Sequence, residues 1–199
     1  MYRQIVFLIL LSSLATALSR AECNELSRGS PEGTLVSFLQ RSRDLPTKDR
    51  DPDCITVALR GLEDRVTAQY AELLISYLDF ERPLDDKEER AGWRWHGRLM
   101  IGDKYPATGP LMTMGEAALT PLLGAIRDSN SAIVRYNATY TVMQIFRDDF
   151  PRGVRFLSDA AKQTAGDSLL RLQQSANDAV EMCRKSDRDE CNSIRDDYR

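Results

Sequence analysis

Residues 112–146 read MTMGEAALTPLLGAIRDSNSAIVRYNATYTVMQIF, and this stretch decides the fold. Its first half places apolar side chains at the i, i+3, i+4 and i+7 spacing of one helix face, at Leu119, Leu122, Leu123 and Ile126. Its second half is apolar nearly all round, which predicts a helix buried by several neighbours. The polar tripeptide at 129–131 separates the halves. The stretch therefore predicts two antiparallel helices joined by a short turn.

Helical spacing recurs along most of the chain, and no region shows the sustained apolar–polar alternation of strands. Proline and cap-forming residues mark the boundaries between the apolar stripes. The pattern predicts helices over 31–43, 52–63, 65–79, 87–101, 115–127, 131–147, 151–164 and 167–184, with a short one near 188–196. Residues 102–110 are rich in glycine and proline and are predicted to form a loop. The predicted fold class is all-α.

The order of residues in 115–138 resembles a HEAT-like, armadillo-type helical repeat. Gly115 to Asp128 follow the pattern G-E-x-A-L-x-P-L-L-x-x-I-x-D, and Val134, Arg135 and Ala138 supply the V-R-x-x-A that begins a second helix. The match is good over 112–146 and looser over 51–184. The resemblance implies antiparallel helix pairs stacked as a short α-solenoid. An irregular helical bundle would produce the same periodicities.

The N-terminal residues have the features of a secretory signal peptide. Arg3 supplies a positive charge, 5–14 are apolar, and 15–17 (Ala-Thr-Ala) form a small-x-small cleavage site. We expect a signal peptide over 1–17, an N-terminal segment with one helix over 18–50, a HEAT-like array over 51–184 and a polar tail over 185–199. The protein is then secreted or periplasmic. An uncleaved N-terminal anchor is the alternative.

The four cysteines, Cys23, Cys54, Cys183 and Cys191, agree with export, because an even number in an oxidising compartment suggests two disulfides. Three connectivities are possible, and we favour Cys23–Cys54 and Cys183–Cys191 because each pair lies near one end of the chain. Eight residues of one helix span about 12 Å. A disulfide needs Cα atoms roughly 4.4–6.8 Å apart. The second pair therefore requires the chain to reverse after Cys183.

Composition and motifs argue against several functional classes. The formal charge of −3 is unlike the basic surface that nucleic-acid binding needs. His96 is the only histidine, and the cysteine spacings fit no zinc motif. No nucleophile elbow and no phosphate-binding loop occurs. We therefore expect no catalysis, no cofactor, no metal and, after signal cleavage, no membrane contact. A small exported enzyme of unknown reaction is the alternative.

The resemblance to HEAT-like repeats implies binding to another protein along the inner surface of the array. The candidate contacts are an aromatic and basic group of side chains and two polar residues on second helices: Trp93, Arg94, Trp95, Arg98, Arg135 and Gln144. Ordinary packing of the tryptophans, with the arginines in solvent, explains the first group equally. A purely structural bundle within an envelope complex remains the third reading.

Overall fold

The computed structural model describes residues 25–84, 101–186 and Cys191. All regular secondary structure within these residues is helical, which confirms the all-α class. The α-helices are α1 (Glu32–Asp44), α2 (Pro52–Gly61), α3 (Ala71–Ile75), α4 (Ile101–Lys104), α5 (Thr108–Met114), α6 (Leu119–Asp128), α7 (Ala132–Ile145), α8 (Phe150–Lys162) and α9 (Asp167–Lys185). Short 3₁₀ turns occupy Thr47–Asp49, Ala68–Tyr70 and Gly115–Ala118.

Side-chain caps fix the starts of three long helices. The Asp51 carboxylate accepts hydrogen bonds from two backbone amides in the first turn of α2, at 3.1 and 3.2 Å. Ser131 caps α7 and Asp149 caps α8 in the same way. Pro52 and Pro151 stand in the first turns of α2 and α8, where the missing N–H has no helical partner to lose. These caps explain why the predicted starts agree with the structure within about two residues.

Helices that follow one another in the chain pack as pairs: α1 with α2, α6 with α7, and α8 with α9. Helix α9 also packs against both α6 and α7, and α5 packs against α7. Helix α7 is therefore the centre of this part of the molecule. Every side chain from Asn137 to Met143 is buried. The prediction of burial all round is wrong near the start of α7, where Ile133 and Tyr136 are 48% and 44% exposed.

The predicted helix over 65–79 is shorter in the structure. A 3₁₀ turn and α3 cover only Ala68–Ile75, and tight turns follow. The Ser76 hydroxyl donates to the Leu73 carbonyl at 2.6 Å, and the next amides bond three residues back rather than four. The apolar stripe is nevertheless buried as the spacing predicts, with Leu74, Tyr77 and Leu78 in the core.

The prediction of a loop over 102–110 holds only for 105–107. The rest is helical, because α4 extends to Lys104 and α5 begins at Thr108. Pro110 lies in the first turn of α5, where proline is tolerated. The Thr108 hydroxyl donates to the Tyr105 carbonyl at 2.9 Å and holds the junction between the two helices. Gly115, with a φ of +62°, then ends α5, so that the predicted helix over 115–127 begins as a 3₁₀ turn.

The structure confirms the predicted Cys183–Cys191 disulfide, with Cα atoms 5.5 Å apart. The helix that carries Cys183 ends at Lys185, and the extended backbone of Ser186 begins the required reversal. Both cysteines are fully buried. Cys54 is also disulfide-bonded. Its predicted partner, Cys23, lies outside the described residues, so that pairing stays a prediction.

Candidate functional site

A cleft of about 820 Å³ lies where the ends of three helical segments meet. The end of α2 forms one wall, α4 and α5 form the second, and the end of α7 forms the third. The lining residues are Glu63, Asp64, Gly102, Asp103, Gly109, Met112, Thr113, Gln144, Ile145, Arg147 and Asp148. The volume suits a side chain or a short peptide segment rather than a single ion.

The charged residues of the cleft are mostly acidic. Four carboxyl groups, those of Glu63, Asp64, Asp103 and Asp148, line it beside one guanidinium, that of Arg147. The guanidinium Nε lies 3.9 Å from a carboxylate oxygen of Asp148, and both side chains are well exposed. Such a pair contributes little and leaves the cleft with a surplus of negative charge. A cationic group is the ligand that this charge favours.

Glu63 differs from the other three acids because its side chain is half-buried. Burial raises the pKa of this carboxyl above its ordinary value, against the opposing effect of Arg60 and Arg28. The negative charges of Asp64 and Asp103 act in the same direction as burial. The Glu63 carboxyl therefore takes up its proton at a higher pH than an ordinary glutamate does.

The α4 wall is tied to the segment that follows α3. The backbone N–H of Arg82 donates to the Lys104 carbonyl at 3.1 Å, and the Arg82 guanidinium donates to the Asp103 carbonyl. The Lys104 ammonium lies 2.9 Å from a Glu81 carboxylate oxygen. These contacts fix the backbone at Asp103, one of the residues that line the cleft.

The α7 wall is fixed by a buried polar side chain. The Asn137 amide Nδ2 donates to the Leu78 carbonyl at 2.6 Å. The Thr141 hydroxyl in turn donates to the Asn137 carbonyl at 2.7 Å. Both side chains are fully buried. Thr141 lies one turn before Gln144 on the same helix, and Asn137 lies two turns before it. Their hydrogen bonds therefore hold the helix that brings Gln144 to the cleft.

Of the predicted contact residues, the structure places Gln144 in the cleft. Arg135 lies elsewhere, because its guanidinium Nη1 donates to the Ser129 carbonyl at 3.0 Å and closes the turn between α6 and α7. The other four candidates, Trp93, Arg94, Trp95 and Arg98, lie outside the described residues. Sequence reasoning missed the four acids, which come from three separate parts of the chain.

A second, smaller cleft of about 420 Å³ lies between α8 and α9. Its lining is neutral apart from one lysine: Ser158, Ala161, Lys162, Leu169, Gln173, Ala176 and Asn177. Short side chains leave this groove between the two helices. It brings no group of opposite charges or perturbed acids together, so the acidic cleft is the better candidate.

Within the described ranges, no three histidine, cysteine, aspartate or glutamate side chains are grouped to hold a metal ion. None of the helices in those ranges combines the length and apolarity that a bilayer crossing requires.

Comparison with protein-family models, with curated proteins and with solved structures finds no match to the chain. The resemblance to HEAT-like repeats therefore depends on the motif in 115–138 and on the helix pairing alone.

Proposed function

We propose that this protein is an exported helical module that binds another protein in the acidic cleft and catalyses no reaction. The partner inserts a segment that carries at least one lysine or arginine side chain. The observation that carries the proposal is the cleft itself, an open space of about 820 Å³ that is lined by four acidic residues and one arginine. Charge complementarity of this kind gives specificity and speeds association.

The lining also supplies contacts for an uncharged backbone. Gln144 offers an amide donor and acceptor, and Thr113 offers a hydroxyl at the exposed edge. Met112 and Ile145 provide apolar surface beside them. A peptide segment needs all three types of contact, whereas a free metal ion needs only oxygen ligands in a tight group.

Export is the second part of the proposal. A fully buried disulfide between Cys183 and Cys191 is typical of proteins that fold in an oxidising compartment. The signal-like sequence at 1–17 supports the same compartment, although those residues lie outside the described part. We further propose that the helix pairs of 51–184 stack as a short HEAT-like solenoid, with 18–50 as an N-terminal segment and 185–199 as a polar tail.

Site-specific photo-crosslinking in the native compartment tests the proposal. A benzoylphenylalanine at Thr113 places the reactive ketone at the exposed edge of the cleft. Gln174, an exposed residue of α9 outside the cleft, is the matched control position. We expect one dominant protein adduct from position 113 and none of it from position 174, with the attachment site in the partner next to a lysine or arginine.

Identical adducts from both positions would show that contact is unspecific and would contradict the proposal. An absence of protein adducts at position 113, in protein that carries the native disulfide, would also contradict it. Turnover of a small molecule by the purified protein would favour the alternative of an exported enzyme.

A further inference from the structure

Gly109 stands in the first turn of α5, a helical position where alanine is the better helix former. The backbone of Gly109 does not require glycine, because its φ angle is not positive. Among the described residues only Gly115 and Gly166 have a positive φ. The reason for glycine at this position must therefore be space rather than conformation.

Glu63 fills that space. A β-carbon at position 109 would lie 2.8 Å from Cγ, 2.9 Å from Oε1 and 3.2 Å from Cδ of Glu63. All three distances are shorter than ordinary contacts, so the side chain would have to move. Gly124 in α6 is the opposite case, because a β-carbon there would meet nothing within 4 Å.

The charged groups that act on Glu63 come from three separate parts of the chain. Arg60 on α2 and Arg28 before α1 favour its ionised form. Asp64, which follows it, and Asp103 on α4 favour its neutral form, as does burial against α5. Burial is the largest of these effects, and the side chain lies close against Gly109.

We propose that Gly109 is a positioning residue for Glu63, and that this half-buried carboxyl makes the cleft a pH-dependent receptor that weakens its hold on a cationic side chain in mild acid. The effect on binding rests on the proposed function of the cleft. The positioning of Glu63 by Gly109 does not rest on that function, because it is a property of the protein without its partner. The two parts can therefore fail separately.

NMR titration of the side-chain carboxyl carbons tests the positioning. In the wild-type protein we expect the Glu63 carboxyl to take up its proton at a higher pH than an ordinary glutamate, with a nuclear Overhauser effect between Glu63 Hγ and Gly109 Hα. Gly109→Ala should return the midpoint toward the ordinary value because the carboxyl is pushed into solvent. Gly124→Ala, the matched control, should leave the midpoint unchanged.

An unchanged Glu63 midpoint in folded Gly109→Ala would overturn the positioning role. If that variant does not fold, the absence of the Overhauser effect in the wild type would overturn it equally.

Binding of tetralysine, followed by calorimetry, tests the receptor. As the pH falls through the Glu63 midpoint that the NMR titration gives, we expect the affinity of tetralysine for the wild type to fall by roughly fourfold, the effect of one charge near 5 Å in water. Glu63→Gln should bind tetralysine more weakly than the wild type at a pH above that midpoint, and it should lose less affinity when the pH is lowered. Equal pH dependence in the two proteins would overturn the role of Glu63. No tetralysine binding by either protein, with the titration as expected, would count against the cationic ligand and leave the positioning intact.

Discussion

The side-chain amide of Asn137 donates a 2.6 Å hydrogen bond to the backbone carbonyl of Leu78, which lies 59 residues earlier in the chain. The contact joins the central helix α7 to the turns after α3, and both residues are fully buried. The amide oxygen Oδ1 of Asn137 has no partner in the structure. One polar side chain thus connects two distant segments beside the cleft, although its acceptor oxygen is unsatisfied.

Asn137→Ala should destabilise the protein by about 1–3 kcal/mol, because it leaves the buried Leu78 carbonyl without its side-chain donor. Denaturant unfolding measures the loss. Thr139→Val is the control: Thr139 is equally buried, but its hydroxyl donates within its own helix, to the Arg135 carbonyl at 2.9 Å. We expect the control to lose less than about 1 kcal/mol. Equal losses in the two variants would show that the link to Leu78 contributes nothing specific.

Leu122→Ala should cost about 2–5 kcal/mol, the range for a leucine removed from a packed core. Leu122 is fully buried, whereas Leu123, its neighbour on the same predicted stripe, is only partly buried. Leu123→Ala should therefore cost clearly less in the same thermal unfolding measurement. Leu123→Asp should also be tolerated better than Leu122→Asp, because a charge at the edge of the core can reach water. The reverse order would mean that α6 packs with a different face inward.

The disulfide should stabilise the end of α9. Closing a loop of eight residues between Cys183 and Cys191 is worth about 2–3 kcal/mol in the chain-entropy model. The double variant Cys183→Ala/Cys191→Ala should lose about that amount in chemical denaturation, with the helical circular dichroism retained. Alkylation of the native wild-type protein without reductant should label neither cysteine. Labelling of either one would contradict the bridge.

Acid should affect the stability of the protein through Glu63. Burial raises the pKa of this carboxyl in the folded state, so the folded protein holds the proton more tightly than the unfolded chain does. The stability that the protonated Glu63 carboxyl contributes is present below the unfolded pKa. It is lost as the pH rises through the folded pKa. Glu63→Gln should therefore melt above the wild type at neutral pH, and the difference should shrink as the pH falls through the folded pKa of Glu63 and vanish below the pKa of the unfolded glutamate.

Glu72→Gln, which changes an exposed glutamate of α3, is the matched control for this comparison. It should melt at the same temperature as the wild type across the same pH range. A neutral-pH melting temperature of Glu63→Gln below that of the wild type would show that the carboxylate is stabilising in its place. That result would contradict the claim that burying the Glu63 carboxylate destabilises the folded protein.

Much of the fold could be predicted because its signals are local. The stripe that includes Ile55, Leu59 and Leu62 is fully buried, and the caps at Asp51 and Ser131 place α2 and α7 nearly where the sequence predicts. The errors arise where tertiary contacts or first-turn prolines alter a local pattern. Glycine and proline made 102–110 resemble a loop, although both residue types are compatible with the first turn of α5.

The candidate site was largely hidden for a different reason. Asp64, Asp103 and Asp148 are exposed acids in separate segments, and each alone is typical of an ordinary solvated surface. Only the packing of α2, α4, α5 and α7 brings them around one space. Gln144 was found because the helix-pair motif places it on a second helix. Gly109 gave no signal in the sequence, because glycine next to proline is typical of the loop that was predicted there, and only the structure places it inside a helix.

The most direct test of the central claim is the yield of the Thr113 photo-adduct in the triple variant Asp64→Asn/Asp103→Asn/Asp148→Asn, compared with the wild type. The variant removes three exposed charges and substitutes neither Glu63 nor any buried residue. If a partner's cationic segment occupies the acidic cleft, the yield should fall by about tenfold or more, since each charge contributes to the attraction. An undiminished yield, from a variant with wild-type circular dichroism and melting temperature, would contradict the acidic cleft as the binding site.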